Sequence, residues 1–449
     1  MVHFGICTGE LWSFQLKEKS ESRKINDARC CIIWPKLYSF YFGGFIVGAI
    51  VMTISLEFFG SKNTLTLLQS LSTIKWISTI FFDSITSSEI SMFFVGFCSN
   101  IFTSFPIYIG EISPVEKRGT LIVFGATGLP VGILIYKIFK TVIDLKTSAI
   151  IHTCACSLAA VLFFKLKNTP YYFIAIGELK KAEDAISSYF PLDDLGEKFT
   201  EITTFVSKNT NEVMKGHKKL MLKLRSLTKP AARKTMFLFL VLFAWTRLSG
   251  SVTTFNRLVE KEAQKYDFVG RSAFLIGLCM IHLICYWFFL SSQNIDNIGR
   301  KAGYVCSSIG TTVSMLVLGT FYYLQDVGYD ILYWKWIPAI FIQFGFISVY
   351  IGYYTVPLMV LSELPPSNFK SVCAFVASLS TVLSLTFTTE CLFYLNIFKG
   401  SLSNACWFHA VISIFGVPIA LLLLPETKMR NFVEIQTKIM ETVSDTGLA

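Results

Sequence analysis

Between two apolar stretches, each long enough to cross a bilayer, residues 108 to 121 read Tyr-Ile-Gly-Glu-Ile-Ser-Pro-Val-Glu-Lys-Arg-Gly-Thr-Leu. Carboxylates and basic groups at the end of an apolar helix are costly unless they have partners and a role. Glu111, Glu116, Lys117 and Arg118 therefore offer ion pairing, not covalent chemistry. The same acidic-then-basic pattern recurs at Asp296-Asn297-Ile298-Gly299-Arg300-Lys301, and again at Ser362-Glu363-Leu364-Pro365 followed by Lys370. Arg247 is a different case, because it stands inside an apolar stretch with its charge exposed to a cost of about 3 kcal/mol or more. Two readings stay open: a cavity that attracts an anionic or carboxylate-bearing ligand, and an internal ion pair, with Glu390 as a candidate partner, or snorkelling. No phosphate loop, nucleophile elbow or zinc spacing occurs, so enzymes are the least supported class and no cofactor or metal is implied.

The elements that must position these groups are set by composition. Of 449 residues, 53% are hydrophobic, 15% aromatic and only 16% charged, whereas a soluble chain carries about a quarter charged residues. Such a surface faces lipid. The net charge of +10 is gathered in loops and at the flanks of apolar stretches, which fits anionic headgroups and orientation signals better than a nucleic-acid groove. The twelve cysteines are scattered, many within apolar runs as at Cys154, Cys156, Cys279 and Cys391, and read as small core hydrophobes.

A span needs about 20 apolar residues, and about eleven stretches qualify. They lie at roughly 36–58, 64–83, 89–110, 119–140 and 147–166, and at roughly 234–256, 271–292, 303–324, 333–359, 371–395 and 405–424, each end uncertain by a few residues. The expected fold is all-α and polytopic, with a polar segment 1–35, a bundle at 36–166, a polar centre at 167–233, a second bundle at 234–424 and a tail at 425–449. Within the centre, Gly177 to Glu183 reads as part of an amphipathic helix. Lys215, Lys218, Lys219, Lys223, Arg225, Lys229, Arg233 and Lys234 crowd the approach to the sixth stretch, so the positive-inside rule puts the centre and the C-terminus in the cytosol. Gly43, Gly44 and Gly48, and Gly125, Gly128 and Gly132, form small-residue stripes suited to close helix packing in lipid. His152, His282 and His409 fall in separate stretches without acidic neighbours and read as hydrogen-bonded helix contacts, not a proton relay.

Repetition of one charged loop in both halves of an apolar chain suggests a transporter made of two related bundles. Tyr108, Glu111, Pro114, Arg118 and Gly119 resemble the loop after the fourth helix of the sugar porter family of the major facilitator superfamily. Asp296, Gly299, Arg300 and Lys301 resemble its D-x-x-G-R-R/K loop, and Ser362, Glu363 and Pro365 its S-E-x-x-P region. Pro425-Glu426-Thr427-Lys428-Met429-Arg430 resembles the P-E-T-K-G-R tail, and Asn168-Thr169-Pro170-Tyr171-Tyr172 the P-E-S-P-R loop. The likeness runs from about Trp34 to Gln436 in the correct order, and its flavour is that of insect facilitated trehalose or glucose transporters. On this mapping the first apolar stretch corresponds to the family's second helix, and its first helix is missing.

The resemblance implies facilitative transport of a small, sugar-like solute by alternating access, in an integral membrane protein of the plasma membrane. It also implies a cytosolic latch between the bundles, expected from Glu57, Lys62, Glu111, Arg118, Asp296, Arg300, Glu363 and Lys370. The same charges also fit a role as snorkelling and orientation groups. The family's sugar-binding run Q-Q-L-S-G-x-N is matched by Thr246-Arg247-Leu248-Ser249-Gly250-Ser251-Val252, with the amides replaced. Ala126, Leu358 and Thr381 likewise stand where the family has Gln, Trp and Asn. Thr246, Arg247, Ser249 and Asn256 are the candidate substrate-binding residues, with the lipid bilayer and a small solute as partners. The loss of amides and of a helix also suits another class, a non-transporting paralogue that senses nutrients or binds a partner.

Overall fold

A computed structural model describes residues 28–81, 85–191, 195–209, 230–250, 253–291, 298–330, 332–366, 369–388, 401–435 and 437. Among them every regular element is helical and no strand occurs. The first half contains α1 (Ala28–Phe58), α2 (Gly60–Phe81), α3 (Ile85–Cys98), α4 (Ile101–Ile112), α5 (Arg118–Ala126), α6 (Gly128–Val142) and α7 (Leu145–Lys165). Three short helices follow in the polar centre: α8 (Pro170–Ala175), α9 (Leu179–Tyr189) and α10 (Leu195–Asn209). The second half contains α11 (Pro230–Leu248), α12 (Thr253–Ala263), α13 (Phe268–Ser291), α14 (Arg300–Val327), α15 (Ile337–Ile351), α16 (Thr355–Glu363), α17 (Lys370–Thr386), α18 (Leu402–Ile414) and α19 (Gly416–Leu422). The expected absence of a first helix concerns residues that lie outside the described ones.

Several helices run end to end, so that a single span comprises two of them. Stretches long and apolar enough to cross a membrane are Leu37–Phe58, Ser88–Ile112, Arg118–Phe139, Lys146–Lys165, Arg300–Val327, Ile337–Glu363 and Leu402–Leu422. The other expected spans also form helices, in α2, α11, α13 and α17. One expectation needs correction: 234–256 is not a continuous helix. It breaks at Gly250, whose φ of +68° belongs to the left-handed region that favours glycine, and a Cβ there would run into the His409 ring. His409 Nδ1 bonds the carbonyl of Leu248 at 3.0 Å, serving a backbone group that the break releases.

The helices are inverted relative to those of a soluble protein. On α14, Ser307, Ser308, Thr311 and Ser314 are buried, while Ile309, Val313 and Leu316 are exposed. Lipid solvates the apolar outer faces, so association depends on close packing and interhelical hydrogen bonds. Both are present. Gly44 on α1 sits against the backbone of Phe93 on α3, and Gly96 on α3 against the backbone of Tyr41, leaving no room for a side chain at either point. Ser308 donates to the carbonyl of Ser413 at 2.7 Å, tying α14 to α18.

Among the described residues the two halves meet chiefly through α1 with α17, α4 with α16 and α17, α5 with α16 and α13, and α6 with α13. A hydroxyl bond at 2.7 Å between Thr103 on α4 and Ser378 on α17 crosses this seam. In the polar centre, α9 buries Ala182, Ala185 and Ile186, and α8 and α10 join it in a separate apolar cluster. That cluster takes in Phe432 from the tail.

Candidate functional site

At one end of the molecule the charged loops converge. Lys370, first residue of α17, places its ammonium 2.9 Å from Oε1 of Glu111 on α4, an ion pair between the two halves in which both side chains are largely buried. Ser61 donates to the other carboxylate oxygen of Glu111 at 3.0 Å. The next residue of α17, Ser371, donates to Oε2 of Glu57 on α1 at 3.1 Å. Gly110 on α4 meets the side chain of Ser362 on α16 so closely that a Cβ would lie 2.8 Å from it. Charge, hydroxyl and close backbone thus join the halves at one level.

A second layer is built mainly from the second half, with the Arg118 guanidinium of α5 as an electrostatic neighbour of its Glu363 carboxylate. Arg300 grips Glu363 through Nη2 at 2.6 Å and Nε at 3.3 Å, with the two side chains only 2% and 3% exposed. Thr427 donates to Oε2 of the same carboxylate at 2.5 Å. Glu426 accepts from the backbone amides of Arg300 at 3.0 Å and Lys301 at 3.2 Å, so a carboxylate caps the positive end of α14. Gly299, at φ +90°, makes this cap fit, since a Cβ there would lie 2.9 Å from the Glu426 carboxylate.

Aromatic rings complete the cradle. The Lys370 ammonium lies 5.0 Å from the ring centre of Tyr171, 4.9 Å from Phe432 and 5.8 Å from Phe205, while the Arg118 guanidinium stacks 4.0 Å from Phe432. Ring faces attract cations by about 0.5–2 kcal/mol, more where water is excluded. Burial pushes the Tyr171 phenol above its ordinary range, with the Arg118 cation opposing, so the ring stays neutral beneath the ammonium. The polar centre and the tail are thereby fastened to the seam.

A second candidate region lies deeper. Phe102 on α4 stands nine residues before Glu111, and Tyr354 nine residues before Glu363. At 1.5 Å per helical residue, both lie roughly 13–14 Å from the charged layer. The Arg247 guanidinium is 6.0 Å from the Phe102 ring centre. It therefore sits about half the thickness of a hydrocarbon core, near 30 Å, from the charged end. Its electrostatic neighbours are the phenols of Tyr354, Tyr41 and Tyr350, which come from both halves. Arg247 is half-buried. It lies on the last turn of α11, immediately before the break at Gly250.

The sequence-predicted residues divide between these regions. Glu57, Glu111, Arg118, Arg300, Glu363 and Lys370 gather at the charged end, though Arg300 and Glu363 pair within one half and Arg118 faces a ring. Lys62 does not join them, because its ammonium bonds the carbonyl of Phe164 at 3.3 Å at the end of α7. Asp296 and Glu390 lie outside the described residues. Thr246 is engaged by backbone, donating to Leu242 O and Tyr353 O at 2.9 Å each. Ser249 is wholly buried and donates to Thr246 O at 3.1 Å, whereas Asn256 is half-buried on α12. Ala126, Leu358 and Thr381 are packed away. Sequence reasoning did not single out Tyr41, Phe102, Tyr350, Tyr354 or Phe432. For Phe432 the signal was its place just after the P-E-T-K-like run; for Tyr350 and Tyr354 it was a Tyr-rich run at 350–354 inside an apolar stretch.

Comparison with known proteins agrees with this architecture. The sequence profile described as "Sugar (and other) transporter" matches residues 8–439. A relative from Polypedilum vanderplanki described as "Facilitated trehalose transporter Tret1" is 24% identical over 401 residues, spanning 89% of this chain and 78% of its own length. Some other relatives of that description are longer, and the chain spans 40% to 48% of them. Among solved structures, the proton:xylose symporter XylE bound to 6-bromo-6-deoxy-D-glucose superposes with a TM-score of 0.80 at 16% identity, covering 97% of this chain and 96% of that one. The inward-open form of the xylose transporter XylE from E. coli gives 0.66 over the same shares, also at 16% identity. These likenesses fix the fold as that of the major facilitator superfamily.

Proposed function

Because the chain belongs to the sugar transporter family, we propose that it carries a small, sugar-like solute across a membrane by alternating access, with no covalent step. The observation that carries this reading is the Lys370–Glu111 pair with Ser371–Glu57 beside it, a seam of reversible polar contacts between two halves that are otherwise joined by few helix pairs. A charge pair of this kind strengthens as water leaves and weakens as water returns, so it biases an equilibrium between two packings without fixing either. The halves are 36–166 and 234–424, linked by the polar centre 167–233 and followed by the tail 425–449, of which Thr427 and Phe432 pack at the charged end. The charged end is the cytosolic one, on the strength of the basic crowding before α11, and the assignment to the plasma membrane rests on the family resemblance. Glu57, Glu111 and Lys370 form the latch across the seam, and Arg118, Arg300 and Glu363 brace it from beside. Thr246, Arg247, Ser249 and Asn256 belong to the central region where solute binds, and Thr246 and Ser249 act mainly by shaping the break in α11–α12.

Transport is passive in this reading. His152 stacks on Trp76 at 4.4 Å and bonds Ser148 O at 2.6 Å, and His409 serves the helix break, so both have structural work that does not need a moving proton. Neither the fold nor the family likeness favours the non-transporting alternative. The test is saturable uptake of labelled solute by purified protein in liposomes, measured with and without a pH gradient. Saturable flux indifferent to the gradient is expected. Flux that appears only with an imposed proton gradient would replace the passive reading, and no flux of any solute from a folded preparation would end the carrier reading.

A further inference from the structure

We propose that the solute selected is a monoanion, a small polyhydroxy carboxylate of the sugar-acid class, held through its carboxylate by Arg247. This deepens the carrier reading and rests on it. A guanidinium near the middle of a bilayer needs a negative partner or water. Among the described residues Arg247 has no carboxylate within ion-pair distance, in contrast to Arg300 with Glu363 and Lys370 with Glu111. What surrounds it is the Phe102 ring and the phenols of Tyr41, Tyr350 and Tyr354. Gln343 lies seven residues before Tyr350, on the same face of α15, and its buried amide nitrogen has no hydrogen-bond partner. Among the described residues the groups around Arg247 are thus phenolic donors, and their one full charge is the guanidinium itself.

Such a lining favours an acceptor-rich guest. The planar guanidinium matches a carboxylate in bidentate fashion, and the phenols serve hydroxyls, which both donate and accept. One cation balances one negative charge, so a dianion such as a sugar phosphate would leave a surplus charge at mid-depth. The seam position gives the pairing a mechanical consequence: Tyr41 and Phe102 belong to the first half, Arg247, Tyr350 and Tyr354 to the second. A guest held by both halves couples its binding to their closure.

The experiment is competition uptake in liposomes with D-glucuronate, D-gluconate, D-glucose and glucose 6-phosphate, under a clamped membrane potential. In the native chain, glucuronate or gluconate should compete at least tenfold better than glucose and better than the phosphate, and an inside-positive potential should raise uptake of the anion. Arg247→Gln should cut the anion-to-glucose ratio at least tenfold. Arg247→Lys, which keeps the charge and loses the fork, should retain the preference for anions at weaker affinity. Glu390→Gln, assayed beside them, should leave anion competition where it was; a gain in anion affinity would mean that Arg247 is already paired, and would overturn the proposal. Uptake of glucose with no competition by either sugar acid overturns it as well, with the carrier reading intact. No saturable flux of any probe from folded protein removes both.

Discussion

Glu111 takes one bond from each half of the molecule, Lys370 Nζ at 2.9 Å and Ser61 Oγ at 3.0 Å, so its carboxylate is the point at which the halves compete for one group. Removing the ammonium leaves a buried carboxylate with a hydroxyl alone, a loss of about 1–3 kcal/mol in the latched state. Lys370→Met should therefore shift the equilibrium about tenfold or more toward the unlatched state. Accessibility of a reporter cysteine on the charged end to a polar thiol reagent checks this, and Glu111→Gln combined with Lys370→Met should be no worse than the single changes. Arg300→Met is a different kind of loss. It strands Glu363 within one half, at a cost of about 3–5 kcal/mol, and should appear as a lowered unfolding temperature in detergent, with no preference for either state. The charges were legible in sequence because ionisable residues beside apolar stretches are rare; their pairing was not, since pattern alone cannot say that Arg300 turns inward to Glu363 and Lys370 across to Glu111.

At the scale of elements, helix approach is decided by single atoms. Gly44 abuts the backbone of Phe93, whereas nothing lies within 4 Å of a Cβ at Gly43. Gly44→Leu should part α1 from α3 and give little monodisperse protein, while Gly43→Ala should be tolerated; size-exclusion profiles of the two variants separate these outcomes. The glycine stripe was visible in sequence, but which member faces the neighbour depends on the helix rotation. The break at Gly250 was not legible in the sequence, because the polar run Thr246 to Val252 reads as ligand candidates within one span and the φ of a glycine does not register in hydropathy. The tail offers a further test. Phe432 is buried against Tyr171 and Phe205 with the cations of Arg118 and Lys370 near its ring. Phe432→Ala should cost about 3–5 kcal/mol of local packing and free the tail, seen as faster proteolysis after α19.

At the scale of the whole molecule, the all-α reading and the order of the spans followed from apolar stretches about 20 residues long and from charged loops recurring in order. Lipid makes that signal strong, because every backbone group must be satisfied within a helix. The central region was less legible, since Tyr41, Tyr350 and Tyr354 converge on Arg247 only after folding. The central claim is that two halves, held at one end by the Lys370–Glu111 seam, part there during transport. The most direct measurement is the distance between spin labels at exposed Lys117 and Ile298, on the charged ends of the two halves, in a background without reactive native cysteines. The account predicts one short distance in the native chain at rest, a second and longer population when solute is added, and that longer population already present in Lys370→Met. A single unchanged distance under all three conditions would contradict it.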